Sequence, residues 1–294
     1  MFQLINLKEE KSRVAFYSVL AAILLTSFKL IVGLLTNSLG ILSEALHSGL
    51  DLVAALITLF AVRVSDKPAD KTHNYGHGKV ENLSALVETL LLFITCFWII
   101  NEAISRLTTG GQMIKVTFWS YAVVIVSIVI DFTRSRALSR VAKKHNSQAL
   151  EADALHFSTD IWSSSVVLLG LICANFGFIS ADAIAALFVA LIVIYVSYKL
   201  GKRSIDALLD KTPEEAVSKI EEVLKSAKGI TRFHDLRVRT MGAETLVEIN
   251  IHVTPGITIE KAHQISHDVE HEIINVIERC EVHIHIEPEE VENN

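Results

Sequence analysis

The chain has 294 residues, 51% of them hydrophobic and 20% charged, and its mean hydropathy of +0.42 exceeds what a soluble domain usually tolerates. Its formal charge is −6, and the acidity is concentrated near the end, where residues 204–294 hold 9 Lys and Arg against 19 Asp and Glu. These features argue against an ordinary soluble protein and against a nucleic-acid partner, and they favour a lipid bilayer and small cations as partners.

The N-terminal residues and the cysteines exclude two further classes of protein. Residues 1–13 carry charges where a cleavable signal peptide needs its apolar stretch, so we expect no cleaved signal. The three cysteines lie far apart with no C-x-x-C spacing, which argues against a disulfide framework and against a thiolate zinc cluster. We expect Cys96, Cys173 and Cys280 to be small buried apolar residues.

Six apolar segments occupy the first two-thirds of the chain. Each is long enough, or nearly so, to cross about 30 Å of hydrocarbon, which takes about 20 helical residues. The segments run over residues 14–36, 39–63, 81–106, 115–135, 150–175 and 180–200. Lys and Arg around these segments number fifteen on one side and two on the other. The positive-inside rule therefore places both termini in the cytoplasm.

The chain changes to soluble patterning after Arg203. Thr212, Pro213 and Glu215 form a capping-box pattern that predicts a helix running to about Lys228. Beyond it, alternating and helical apolar spacings predict two strands, a second helix and a third strand. The order αββαβ in about 90 residues suits a small open-faced sheet covered by two helices. We predict a transmembrane domain over residues 1–203 and one α+β cytoplasmic domain over 204–294.

Two of the six predicted spans carry the same pair of ionisable residues. His47 and Asp51 lie four positions apart in the second span, as do His156 and Asp160 in the fifth. This spacing puts each pair on one helix face, and ionisable residues at membrane depth are costly enough to indicate function. If the two spans face each other, two imidazoles and two carboxylates suit tetrahedral Zn²⁺. The alternative is that each His only neutralises its own Asp.

A second ligand pattern lies between the second and third spans. The segment PADKTHNYGHGK contains Asp70, His73 and His77 in a D-x2-H-x3-H arrangement beside two glycines. Carboxylate and imidazole side chains are ligands that zinc accepts. We therefore predict a metal site in this loop, with an ordinary solvated His-rich loop as the alternative.

Histidines are concentrated at the end of the chain, where seven of the twelve fall in the last 61 residues. The two-residue period puts His285 and Glu287 on one face of the last strand, and His252 lies on the polar side of its own strand. We predict a cytoplasmic metal site formed by five residues, His234, His252, His263, His285 and Glu287. His267 and His271 continue the row that His263 begins on the last helix, and for them we favour a solvated polar face.

Taken in this order, the motifs resemble those of the cation diffusion facilitator family of proton-coupled exporters of divalent metals. The resemblance covers essentially the whole chain: six spans, paired H-x3-D motifs, the PAD-x2-H-x3-HGK loop, and a short cytoplasmic domain that contains FHDLR and ends in HIHIEP. It implies a homodimer in the cell (inner) membrane, with a ferredoxin-like or metallochaperone-like cytoplasmic sheet.

The resemblance also assigns roles to individual residues. It implies a transport site at the paired motifs, a second metal site in the loop, and a binuclear site in the cytoplasmic domain. It further implies an apolar gate at Leu155 and an ion pair between Lys79 and Asp210. One departure is Glu287, because this position is often Asp in the family and Glu has a longer reach.

These patterns predict a secondary antiporter that exports Zn²⁺ from the cytoplasm in exchange for protons, because metal binds only neutral imidazoles and ionised carboxylates. An imidazole at His47 favours zinc over Mn²⁺ or Mg²⁺. The alternatives are an exporter of the same family that prefers Fe²⁺, Cd²⁺, Co²⁺ or Ni²⁺, and a membrane-anchored metal sensor. We expect Zn²⁺ also as a structural or regulatory ion of the cytoplasmic domain.

Two other classes fit the patterns poorly. A channel needs binding weak enough for fast exit, whereas a closed four-ligand site holds its metal tightly. An enzyme would keep a metal position open for water and would supply a nucleophile or a phosphate-binding loop. We therefore predict no enzymatic activity and no catalytic cofactor.

Overall fold

The computed structural model describes residues 2–36, 39–109, 118–175 and 181–289. Within these residues, six long helices come first: α1 Phe2–Thr36, α2 Leu39–Ser65, α3 Lys79–Thr109, α4 Phe118–His145, α5 Gln148–Asn175 and α6 Ala181–Leu208. In the described residues, three segments satisfy both length and composition for a membrane span: Glu9–Leu35, Glu44–Ser65 and Lys79–Ser105. Each helix overlaps one of the six predicted segments, but α1 begins well before its segment and α4 ends about ten residues after its own. Residues 115–117 and 180 of the predicted segments lie outside the described residues. The predicted helical membrane domain is confirmed.

Small side chains let four of these helices pack closely. The buried cluster between α1, α2, α4 and α5 contains alanines from all four, including Ala15, Ala55, Ala142 and Ala154, packed around the fully buried Phe157. In a membrane the hydrophobic effect does not drive helices together, because lipid is as apolar as their side chains. Small residues let the helix backbones approach closely, and the resulting packing holds the helices together. This packing brings α2 and α5, which carry the paired motifs, into contact.

The remaining elements form the predicted αββαβ unit. Their bounds are α7 Glu214–Ser226, β1 Ile230–Met241, β2 Glu244–Val253, α8 Ile259–Val276 and β3 Cys280–Pro288. The strands form one sheet in the order β1-β2-β3, with β1 antiparallel and β3 parallel to β2. Ile220 of α7 and Ile273 of α8 pack with Ile249 and Ile251 of β2 in one buried core. Both helices therefore cover the sheet face to which the odd-numbered residues of β2 point.

The predicted capping box at the start of α7 is not formed. Pro213 is the N-cap, in an extended conformation and with no capping hydrogen bond from a side chain, so the helix begins at Glu214. It ends at Ser226 rather than at about Lys228. Glu215 instead pairs with Lys219 one turn later at 2.7 Å, and this contact lowers the pKa of the Glu215 carboxyl.

The chain separates into two compact units whose boundary differs from the predicted one. One unit comprises Met1–Pro68 and Val80–Ile205, and the other comprises Ala69–Lys79 and Asp206–Asn294. The loop between α2 and α3, which sequence analysis placed in the membrane domain, thus belongs structurally with the αββαβ unit. Local periodicity carries no information about such a long-range association.

Close backbone contact explains why this loop joins the second unit. A Cβ on Gly242, in the β1–β2 turn, would lie 2.7 Å from the carbonyl oxygen of Gly78 in the loop. The Arg239 guanidinium lies 4.6 Å above the Tyr75 ring of the loop. Lys79 Nζ lies 2.7 Å from Asp210 Oδ1, so the predicted charge pair is formed.

We expect Gly242→Ala to detach the loop from the β1–β2 turn. Gly242 has φ +65°, which costs an alanine about 1–2 kcal/mol, and the added Cβ also meets the Gly78 backbone. Hydrogen exchange of the 69–79 amides in the full-length protein should therefore accelerate. Gly256→Ala is the control, because Gly256 also has positive φ, at +82°, but an added Cβ there meets no atom within 4 Å. Equal loop protection in both variants would contradict this packing.

Candidate metal centres

The paired motifs of α2 and α5 interleave. His47 Nε2 lies 3.9 Å from Asp51 Oδ1 and 3.6 Å from Asp160 Oδ1. His156 Nε2 lies 3.1 Å from Asp51 Oδ1 and 3.8 Å from Asp160 Oδ2. Each imidazole thus faces both carboxylates, and His156 is closer to the Asp of the other helix than to its own. These contacts disagree with the alternative in which each His neutralises only the Asp of its own helix.

These four residues, called the quartet below, are largely buried. The side chains of Asp51, His156 and Asp160 are buried, and that of His47 is 31% exposed. His156 Nδ1 and Asp160 Oδ2 are buried without a hydrogen-bond partner among the described residues. Buried polar atoms are costly when unsatisfied, and a divalent cation would satisfy the carboxylate oxygen directly.

A cavity of about 660 Å³ opens beside the quartet and has residues of all six membrane helices in its wall. His47, Asp51 and Asp160 line it, and the wall continues past Glu44 of α2 and Glu102 of α3. These two glutamates lie toward the helix ends that the Lys and Arg distribution assigns to the outer side. The cavity therefore extends from the quartet toward these ends of α2 and α3.

Leu155, the predicted gate residue, lies in an apolar cluster next to the quartet. It packs with Ala85 of α3, Ala152 of α5 and Leu200 of α6, which are buried together. These residues are nearer than the quartet to the ends of α3, α5 and α6 that the Lys and Arg distribution assigns to the cytoplasm. Because Leu155 directly precedes His156, movement of this cluster would also move a ligand of the quartet.

Several other ionisable residues lie within the membrane helices. Asp131 pairs with Arg134 at 3.3 Å, one turn away on the same helix. Asp153 is fully buried and accepts a hydrogen bond from Ser18 at 3.3 Å, and sequence analysis did not single it out. Its position three residues before His156 places both on one face of α5, and that spacing was the available signal.

The loop site is organised by Asp70. The Thr72 hydroxyl and the backbone amides of Thr72 and His73 donate to Asp70 Oδ1 at 2.7–2.8 Å. The Thr72 hydroxyl and these amides hold the pKa of Asp70 well below its ordinary range, so the carboxylate stays ionised down to strongly acid pH. Asp70 Oδ2 lies 3.6 Å from His77 Nε2, and one ligand atom from each of Asp70, His73 and His77 lies within 4.8 Å of the others.

The cytoplasmic sheet brings together three of the five predicted residues. His252 Nε2 lies 3.1 Å from His234 Nδ1 and 3.4 Å from Glu287 Oε2. Strand register explains this, because His252 of β2 is directly opposite Glu287 of β3, and His234 of β1 is opposite Asn250 beside a bulge. One imidazole from each of β1 and β2 thus meets a carboxylate from β3.

The other two predicted residues are placed differently. His285 Nε2 lies 3.5 Å from the second carboxylate oxygen of Glu287, with its side chain mostly exposed. His263 is exposed on α8, where its ring centroid lies 6.3 Å from that of His267. Helix α8 covers the face of the sheet opposite to His252, so His263 does not join the cluster within one chain. His267 and His271 are exposed, in agreement with a solvated polar face.

Comparison with known proteins identifies the family. Residues 15–209 match the cation efflux transmembrane domain, and residues 212–289 match the cytoplasmic domain of cation efflux proteins. The chain is 33% identical over 272 residues to an uncharacterized transporter of Methanocaldococcus jannaschii, covering 92% of this chain and 96% of that protein. It is 30% identical over 282 residues to the cation-efflux pump FieF of Citrobacter koseri, covering 94% and 92% respectively.

Among solved structures, a nickel form of a MamM CTD variant is 28% identical and has a TM-score of 0.25, covering 26% of this chain and 100% of that one. The two family matches together span both units of the chain. The protein is therefore a multi-pass membrane transporter that belongs to the cation efflux, or cation diffusion facilitator, family.

Proposed function

We propose that the protein exports Zn²⁺ from the cytoplasm through the quartet, in exchange for protons. The observation that carries this proposal is the interleaving of two imidazoles and two carboxylates across α2 and α5, with contacts of 3.1–3.9 Å. An N2O2 donor set of this kind suits four-coordinate zinc. The Lys and Arg distribution supports a cell (inner) membrane protein with both termini in the cytoplasm.

Protons and metal compete for the same atoms in this arrangement. When the imidazoles carry protons, each can form ion pairs with both carboxylates, which is the geometry that the four distances describe. Zinc needs the same nitrogens without their protons and the same oxygens ionised. Binding of zinc therefore releases protons, and protons that enter from the outer cavity displace zinc.

Transport also needs access from the cytoplasm. In the structure the quartet reaches the cavity that continues past Glu44 and Glu102, and Leu155 packs in the apolar cluster described above. We assign Leu155 to the gate that must open for loading. Inward opening and outward opening would then alternate around a fixed quartet, which is the general behaviour of secondary transporters.

The loop and cytoplasmic clusters are proposed as regulatory or structural zinc sites of a homodimer. Asp70, His73 and His77 supply one ligand set, and His234, His252 and Glu287 supply another. His285 and the outlying His263 would complete the second set across the two-fold interface. Lys79, paired with Asp210, begins α3 directly after the loop and would transmit domain closure to the membrane helices.

We expect His252→Ala to remove one class of bound zinc and to weaken dimerisation. His252 contacts both other members of the cytoplasmic cluster, and zinc there would offset the repulsion between two acidic domains. Equilibrium dialysis and sedimentation of the full-length protein measure both effects. His283→Ala is the control, because exposed His283 contacts only Glu281 among the described residues. Identical zinc content in the two variants would exclude the cluster as a zinc site.

Transport assays in proteoliposomes test the proposed function. With an imposed pH gradient, acid on the side opposite to the zinc should drive Zn²⁺ uptake, and collapsing the gradient should reduce it. Parallel assays with Fe²⁺, Cd²⁺, Co²⁺, Ni²⁺ and Mn²⁺ rank the metals. Absence of metal flux from a folded protein that still binds zinc would favour the membrane-anchored sensor.

A further inference from the structure

Lys29 is a buried cation in the wall of the cavity beside the quartet, and a charged ammonium cannot ligate a metal. Its Nζ donates to Ser48 Oγ at 2.8 Å and to Glu44 Oε2 at 3.2 Å. The Lys29 side chain is only 4% exposed, whereas that of Glu44 is 46% exposed. A lysine in a membrane helix normally extends its ammonium toward water, so its retention at this depth needs a reason.

Lys29 shares its surroundings with the quartet. Lys29 lines the same cavity as His47, Asp51 and Asp160. Its hydrogen-bond partner Ser48 directly follows His47 in the sequence. Lys29 acts electrostatically on Asp160, and its partner Glu44 acts with the opposite sign on His47.

Glu44 offsets the charge of Lys29 at the quartet only in part. Glu44 is half-exposed in the cavity, where water screens part of its negative charge, whereas the ammonium is enclosed by protein and is screened less. Asp131, which also lines the cavity, is paired with Arg134 at 3.3 Å, and both side chains are buried. Of the two charges in the Lys29–Glu44 pair, the ammonium therefore has the larger effect on the quartet.

We propose that Lys29 is a positioning charge that weakens the binding of divalent metal at the quartet and so accelerates metal release into the cavity. This inference rests on the proposed function, because it assumes that the quartet binds the transported ion. A closed set of four ligands holds zinc tightly, and a transporter must also release it. Repulsion between the ammonium and a divalent ion in a partly desolvated cavity supplies the required loss of affinity.

Three variants of the full-length protein test this inference, because each is expected to change the zinc affinity in a different way. Zinc binding is measured in a background carrying His77→Ala and His252→Ala, which removes the other two proposed sites. Glu44→Gln leaves the ammonium uncompensated and should weaken zinc binding roughly tenfold. Lys29→Met combined with Glu44→Gln removes both charges and should strengthen it roughly tenfold relative to the background. Lys29→Arg keeps the charge and should change the affinity least.

Transport kinetics provide a second test, because a lysine with a purely structural role would not change KM and the maximal rate together in the way expected here. The Lys29→Met, Glu44→Gln protein should show both a lower KM and a lower maximal rate, whereas Glu44→Gln should show a higher KM. Unchanged zinc affinity in Glu44→Gln would overturn the proposal, and this decides the question even if the double variant fails to fold. Stronger zinc binding in Glu44→Gln together with weaker binding in the double variant would overturn it as well.

A further variant separates this inference from the proposed function. Asp160→Asn in the same background should abolish zinc binding at the quartet. If zinc still binds with unchanged affinity, the quartet is not the site, and the proposed function fails together with the inference that rests on it. If Asp160→Asn abolishes binding while Glu44→Gln and the double variant bind as the background protein does, only the inference about Lys29 fails.

Discussion

Asp51→Asn is expected to reduce zinc transport by about 100-fold or more while leaving a folded protein. Asp51 Oδ1 is the oxygen closest to His156 Nε2, at 3.1 Å, and it also faces His47. Loss of a residue that only supports a metal ligand already costs about 10–100-fold, so loss of a charged ligand should cost more. The amide has nearly the same shape as the carboxylate, so the helix packing is retained.

Zinc flux into proteoliposomes under a fixed pH gradient measures this effect. Ser163→Ala is the matched control, because Ser163 lines the same cavity on α5 but supplies no carboxylate or imidazole. It should transport at close to the wild-type rate. Wild-type flux through Asp51→Asn would show that zinc crosses the membrane domain without using the quartet.

His47→Asp is expected to increase transport of Mn²⁺ relative to Zn²⁺ without abolishing zinc transport. The change replaces N2O2 by NO3, and oxygen ligands suit Mn²⁺ better than imidazole does. His47 is the most exposed of the four side chains, so water in the cavity can stabilise an added negative charge there. Competition of each metal against zinc uptake measures the change in preference.

The same substitution on the other helix should behave differently. His156 is only 5% exposed and does not line the cavity, so a third carboxylate at this position would be buried without hydration. His156→Asp should therefore lose transport of every metal tested. If the two variants show the same metal preference and the same rates, the difference in burial has no role in selectivity.

Each half of the quartet could be predicted from the sequence because its geometry is local, whereas the meeting of the two halves depends on the packing of α2 against α5. The four-residue spacing of His47 with Asp51, and of His156 with Asp160, fixes each pair on one helix face whatever the rest of the fold. The loop pattern around Asp70 is equally local, since its hydrogen bonds join residues within three positions. Strand alternation also placed His252 and Glu287 on the polar faces of their strands, and the pairing of β2 with β3 puts these two residues opposite each other.

The features that sequence analysis did not provide depend on contacts between distant segments. Placing His263 requires the side of the sheet that α8 covers, and the residues of α8 alone do not reveal it. The association of the 69–79 loop with the β1–β2 turn depends on the close approach of Gly78 and Gly242. The surroundings of Lys29 likewise depend on α2, which supplies both Ser48 and Glu44.

Proton movement driven by zinc tests most directly whether protons and metal compete for the quartet. Proteoliposomes with an entrapped pH indicator and no initial pH gradient are exposed to external zinc. Zinc entry through the wild-type protein should drive protons out and raise the internal pH, and Asp51→Asn vesicles should behave like protein-free ones. Zinc entry without a pH change, or an equal pH change with Asp51→Asn, would contradict exchange at these four side chains.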